Sequence, residues 1–244
     1  MSNFFAYPTV NSWGEDVYQL TTAGIILVIL LIAILLALAV FFRLKKNAAA
    51  PGNPATPETD ESSSKNEKGK MTAKQLAFSG VAMALALITS EFLPNFTMPM
   101  GGSITFFSML FMVLIGYWYG PKAGILSGLA YGFLQFVIDP RFYSIPQMIV
   151  DYPLAFGALG LSGIFSNKKH GLITGYIAGV LGRYFFAIVS GVLFFASYAP
   201  EGTPALIYSI TYNATYLLPE AVITVILIAL PPVQKALANV KKMV

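Results

Sequence analysis

The chain reads as long apolar runs separated by short polar joints. Gly24 to Phe42 (GIILVILLIAILLALAVFF) carries no polar side chain and ends at RLKK, a stop-transfer pattern. Acidic GEDVY precedes it, where a cleavable signal would carry positive charge, so the run is read as an N-terminal anchor. Residues 47–70 (NAAAPGNPATPETDESSSKNEKGK) offer almost nothing to bury, the composition of a disordered linker. Six further apolar spans follow, near 74–93, 104–119, 122–138, 147–165, 171–197 and 206–231. Gly and Pro mark their joints at PMGG, YGPK, DPRFYSIP, APEGTP and the closing PP. Several of these runs reach the roughly 17 to 25 residues that a spanning helix needs, and no period-two segments point to a β-barrel. The predicted fold is an all-α polytopic membrane protein: residues 1–46 an extracellular segment plus anchor, 47–70 a cytoplasmic linker, and 71–244 a six-helix membrane domain.

Composition strengthens that picture. The chain is 56% hydrophobic and 11% charged, against roughly 25% charged residues in a soluble domain. With the N-terminus outside, thirteen of the fifteen Lys and Arg residues fall on the cytoplasmic side, and Arg141 and Arg183 alone remain. That segregation depends on the number of crossings, so it checks the helix count. The expected surroundings are a lipid bilayer, with no nucleic-acid partner. Cysteine is absent, which removes disulfides and thiolate chemistry. His170 is the one histidine, in the basic joint NKKHG, so no metal or cofactor site is expected.

The polar residues left on the outer side are acidic or aromatic: Glu91, Asp139, Asp151 and Glu201, with Tyr143, Tyr152, Tyr198, Tyr208 and Tyr212. Asp151 heads the apolar run of the fourth span, where an unpaired charge costs several kcal/mol. Acid beside aromatic rings suits a cationic or nitrogen-rich aromatic solute; an interfacial tyrosine belt is the plainer alternative. Arg183 and Glu220 sit at similar depth in consecutive antiparallel spans, and a mutual ion pair is the expected arrangement, with Asp151 or a ligand carboxylate as the rival partner of Arg183. Small residues recur at Gly80 and Ala84, and at Ala82 and Ala86, a spacing that admits a close helix neighbour within the protein or from a partner. Gly124, Gly128 and Gly132 share one face of the third span and are expected to pack internally. Enzyme signatures such as H-E-x-x-H, G-x-S-x-G or a P-loop are missing. An intramembrane acid pair of Asp151 and Glu220 is the enzymatic alternative.

The stretch SGLAYGFLQFVIDPRFYSIPQMIVDYPLAFGALGLSGIF, with GRYFFAIVSGVLFFASYAPEG and IYSITYN, resembles the thiamine-specific substrate-binding (S) components of energy-coupling factor (ECF) transporters over about residues 71 to 231. The resemblance implies a non-enzymatic six-helix subunit of the cytoplasmic membrane. Such a subunit captures a vitamin at its outer end and works with a transmembrane coupling subunit and two ATPase subunits. Carried over residue by residue, it assigns the ligand carboxylate to Asp151, followed by Tyr152, and further ligand contacts to Tyr143, Tyr208 and Asn213. It assigns partner docking to the A-x-x-x-A pair Ala82 and Ala86 of the first helix of the domain. Three positions depart from the family pattern: Ala187 replaces a histidine, Phe195 a tryptophan, and Phe106 an acidic residue. Recognition of thiamine, or of a related small heterocycle such as a pyrimidine or thiazole, follows as the expectation.

Overall fold

The computed structural model describes residues 6–10, 16–23, 26, 71–93 and 96–243. The chain divides into two compact units, Met1–Met71 and Thr72–Val244. In the first, β1 (Ala6–Val10) and β2 (Asp16–Leu20) form an antiparallel hairpin in which Thr9 faces Val17 and Ala6 faces Leu20. The sequence pattern had assigned no strand there. The predicted linker and nearly all of the predicted anchor lie outside the described residues.

The second unit is helical. α1 (Ala73–Phe92) starts on a capping box: the Thr72 hydroxyl accepts from Gln75 N–H and the Gln75 side chain accepts from Thr72 N–H, both at 3.1 Å. Its last turn, Ile88–Phe92, widens into a π-helix. A short antiparallel pair follows, β3 (Phe96–Thr97) with β4 (Ser103–Ile104). α2 (Ser108–Tyr119) begins later than predicted because Phe107 sits at φ +64°, outside the helical region. α3 (Pro121–Ile138) opens on a proline, whose missing N–H costs nothing at a helix start.

α4 (Ile145–Phe165) changes pitch along its length. It passes through a π turn at Val150–Leu154 and closes as a 3-10 helix at Leu159–Phe165. Pro153 lies inside that π turn. A proline there can donate no backbone hydrogen bond and crowds the preceding turn, and the wider pitch accommodates it. α5 (Gly171–Phe194) and α6 (Ala205–Ala229) complete the bundle.

α1, α4, α5 and α6 are each long and apolar enough to cross a bilayer; α2 is shorter, at 12 residues. Their outer faces present large apolar side chains such as Leu181, Phe185, Leu193, Ile207 and Ile226, as a lipid environment requires. Inside, Met109, Met112, Val113, Ile115, Tyr131, Leu159, Tyr176 and Leu217 form the core. The glycine run of α3 is internal, as expected. A Cβ at Gly128 would strike the Phe156 carbonyl, one at Gly132 the Tyr152 carbonyl, and one at Gly124 would lie 2.6 Å from Gly116 Cα and 2.8 Å from Gly160 Cα. α3 and α4 therefore touch backbone to backbone.

One helix beyond the predicted spans follows the closing prolines. α7 (Pro231–Met243) folds back at the basic end of the bundle, where Lys241 Nζ donates to Ser166 Oγ at 2.9 Å and lies 4.1 Å from the Tyr117 ring centroid.

Candidate ligand-binding site

The connections 96–107, 139–144 and 195–204 gather at one end of the bundle, together with Glu91, Asp139, Asp151 and Glu201. Lys74, Lys122, Lys168, Lys169, Lys235, Lys241 and Lys242 lie at the other. A cleft of about 300 Å³ lined by Lys168, His170, Gln234 and Lys235 belongs to the basic end and shares no residue with the predicted site.

Asp151 occupies the π turn of α4 and is half-buried. Its Oδ2 accepts from Gln147 Nε2 at 2.6 Å. Gln147 is 1% exposed and spends its amide fully: Oε1 accepts from Tyr143 N–H at 3.1 Å, and Nε2 also donates to the Arg141 carbonyl at 3.3 Å. From α5, the Ser190 hydroxyl, 1% exposed, faces the same carboxylate. No cation pairs with Asp151 among the described residues. The one salt bridge there joins Arg141 to Asp139 at 3.3 Å, both solvent-exposed.

Aromatic rings gather at the same end of the bundle. Tyr143 meets Phe195 edge-on at 4.9 Å, and Phe195 lies 6.0 Å from Tyr198. On α6, Tyr208, Tyr212 and Tyr216 recur every four residues, with centroids 6.0 and 5.9 Å apart, a ladder along one helix face. Tyr216 lies within electrostatic reach of Asp151, Arg183 and Arg141. The β3–β4 turn rests on that ladder: Gly101 and Gly102 hold φ +89° and +73°, and a Cβ on Gly102 would come 2.5 Å from the Tyr216 ring. Only glycine meets both demands.

Other predicted residues are engaged within the protein. Asn213 donates to the Ser209 and Ala187 carbonyls (2.9 and 3.3 Å) and accepts from the Tyr216 hydroxyl at 2.6 Å, tying α6 to α5. The Tyr152 hydroxyl donates to the Asp139 carbonyl at 2.8 Å and accepts from Arg141 N–H at 2.9 Å, so it fastens the 139–144 connection. Phe106 lies against Phe96 at 5.9 Å, in the segment next to β4.

Three expectations are corrected. Arg183 and Glu220 do not form an ion pair. The Arg183 guanidinium lies over the Phe156 ring, 4.1 Å from its centroid, while Glu220 Oε2 accepts from Thr105 N–H (3.1 Å) and Thr105 Oγ1 (2.7 Å) just ahead of α2. A carboxylate is stabilised there by real donors and by the helix dipole, and Arg183 acts on it only at longer range. Because Asp151 and Glu220 bond to different partners, they do not form a proton-sharing pair. Nor can Ala82 and Ala86 meet a partner protein: they are 3% and 0% exposed and belong to the core packed against α2. The other small pair, Gly80 and Ala84, is exposed, and a Cβ on Gly80 would meet nothing within 4 Å.

Gln147, Ser190 and Tyr216 were not singled out from the sequence. Gln147 was findable, since a glutamine four residues before an acid on one helix shares its face. Tyr216 extends the 208–212 spacing by one more turn. The position of Ser190 depends on how α5 is rotated against α4, which spacing alone does not give.

Comparison with known proteins places this geometry in context. Residues 76–239 match the family profile described as Thiamine transporter protein (Thia_YuaJ). The thiamine transporter ThiT of Bacillus subtilis (strain 168) is 39% identical over 163 residues, covering 61% of this chain and 83% of that protein. The thiamine transporter ThiT of Lacticaseibacillus paracasei is 30% identical over 126 residues, covering 46% and 59% respectively. A solved structure of ThiT from Listeria monocytogenes superposes with a TM-score of 0.53 at 28% identity, covering 65% of this chain and 95% of that one.

Proposed function

The chain belongs to the thiamine transporter protein family, and from that premise we propose that it is the substrate-binding subunit of an ECF-type importer, capturing thiamine at the acidic, tyrosine-rich end of its bundle. Thiamine joins a permanently cationic thiazolium to an aminopyrimidine. The observation that carries the reading is Asp151: a half-buried carboxylate with a neutral donor beside it and no cationic partner among the described residues. Either ring of the vitamin supplies what it lacks, the aminopyrimidine as an N–H donor and the thiazolium as a counter-charge. Tyr143, Phe195 and the Tyr208–Tyr212–Tyr216 ladder offer aromatic surface to both rings. In this reading Asn213 and Tyr152 set the shape of the site, and Phe106 borders it.

Transport would take its energy from ATP hydrolysis in partner subunits, with a transmembrane coupling subunit seated on the exposed side of α1. Leu76, Ala77, Gly80, Val81, Ala84 and Leu85 are solvent-facing there and combine apolar surface with small residues. The basic end of the bundle would face the cytoplasm, with the N-terminus of the chain outside.

Ala187, Phe195 and Phe106, which depart from the family pattern, give a second reading: a related heterocycle as cargo. Titration of the purified full-length protein, followed by intrinsic fluorescence, decides between them. Thiamine should quench saturably and stoichiometrically at submicromolar concentration. Saturable binding of the isolated pyrimidine or thiazole half, with none of thiamine, would replace the ligand assignment; no binding of any of the three would overturn the reading.

A further inference from the structure

We propose that Gln147 is a positioning residue that keeps Asp151 negative and aimed at the guest, and that it locks the Tyr143 connection to the same carboxylate. This rests on the thiamine-capture reading. A buried acid can be stabilised by a cation, which cancels its charge, or by neutral donors, which leave it net negative. The structure uses neutral donors. Gln147 Nε2 approaches Asp151 at 2.6 Å, a charge-assisted distance, and the buried Ser190 hydroxyl faces the carboxylate from α5. The two described arginines are committed elsewhere, Arg141 to Asp139 and Arg183 to the Phe156 face.

The amide cannot turn to serve another role. Its oxygen holds Tyr143 N–H, and its nitrogen holds both the Arg141 carbonyl and Asp151. One side chain therefore fixes the acid and the backbone that carries the Tyr143 ring against Phe195. A merely packed glutamine at 1% exposure would show no such division of its donors.

The test is a double-mutant cycle on the full-length protein, with thiamine as the probe and Tm in the absence of ligand as the folding control. Gln147→Leu should weaken binding about tenfold. Added to Asp151→Asn it should cost clearly less than it does alone, because the part of its action that runs through the carboxylate is already gone and only its hold on the Tyr143 connection remains to be lost. If the two losses multiply, or Gln147→Leu binds within twofold of wild type, the inference is wrong. Gln147→Glu supplies a second readout should the leucine variant fail to fold. A protonated glutamic acid restores a donor toward Asp151, so its thiamine affinity should rise as pH falls from about 8 to 5, opposite to any trend in the wild type. The titratable groups that interact with Asp151 are Tyr152 and Tyr216, and Gln147 itself holds the connection that carries Arg141 and Tyr143; tyrosine and arginine side chains keep their charge state in that window. A wild-type-like pH profile would overturn the proposal. If wild type itself binds no thiamine, the capture reading fails and takes this inference with it, whereas normal wild-type binding with additive losses overturns the inference alone.

Discussion

Asp151 and Glu220 are both carboxylates inside apolar helices, yet their surroundings differ in kind. Glu220 is enclosed: Thr105 gives it a backbone N–H and a hydroxyl just before α2, and the helix dipole adds its field. Asp151 meets one amide and one hydroxyl and remains half-open, within a π turn. The first acid is anchored into the fold through one oxygen and buried, whereas the second keeps one side open. Burial of a charge in a membrane helix is therefore no guide to role until its donors are counted.

The contrast can be tested at both acids and at the arginine between them. The largest effect should come from Glu220→Ala, which strands the Thr105 donors and should cost about 3 kcal/mol of stability, read as a lowered Tm in detergent. The fraction that remains folded should bind thiamine normally. Asp151→Asn should do the reverse, leaving ligand-free Tm unchanged or higher and raising the thiamine Kd more than tenfold, on the order of 1.5 to 3 kcal/mol; equal affinity would remove Asp151 from the site. The smallest effect belongs to Arg183→Met, which loses a cation–π contact of about 1 kcal/mol. Its effect on Tm should add to that of Glu220→Ala. A coupling between the two would restore the ion pair that the sequence suggested.

Much of this was legible beforehand, and the failures over side-chain partners share one cause. Apolar periodicity located all six helices of the bundle, and the spacing of Gly124, Gly128 and Gly132 identified an internal seam. Sequence depth cannot say which way a side chain points around its helix. Ala82–Ala86 and Gly80–Ala84 have the same spacing, but a shift of two residues turns a helix by about 200°, so one pair is core and the other exposed. Arg183 and Glu220 were matched by depth and separated by rotation in the same way. The late start of α2 came from the left-handed Phe107, for which no composition signal exists in a bulky residue. α7 was overlooked because PP was read as a terminator when proline also begins helices.

The backbone contact between α3 and α4 has a mechanical consequence. Along the glycine seam no side chain separates those helices, so they have few rotamers to readjust there and should travel as one stiff plate. Any rearrangement that admits cargo must then be taken up across α5 and α6, where hydroxyls and aromatic rings can slide, or in the segments that join them.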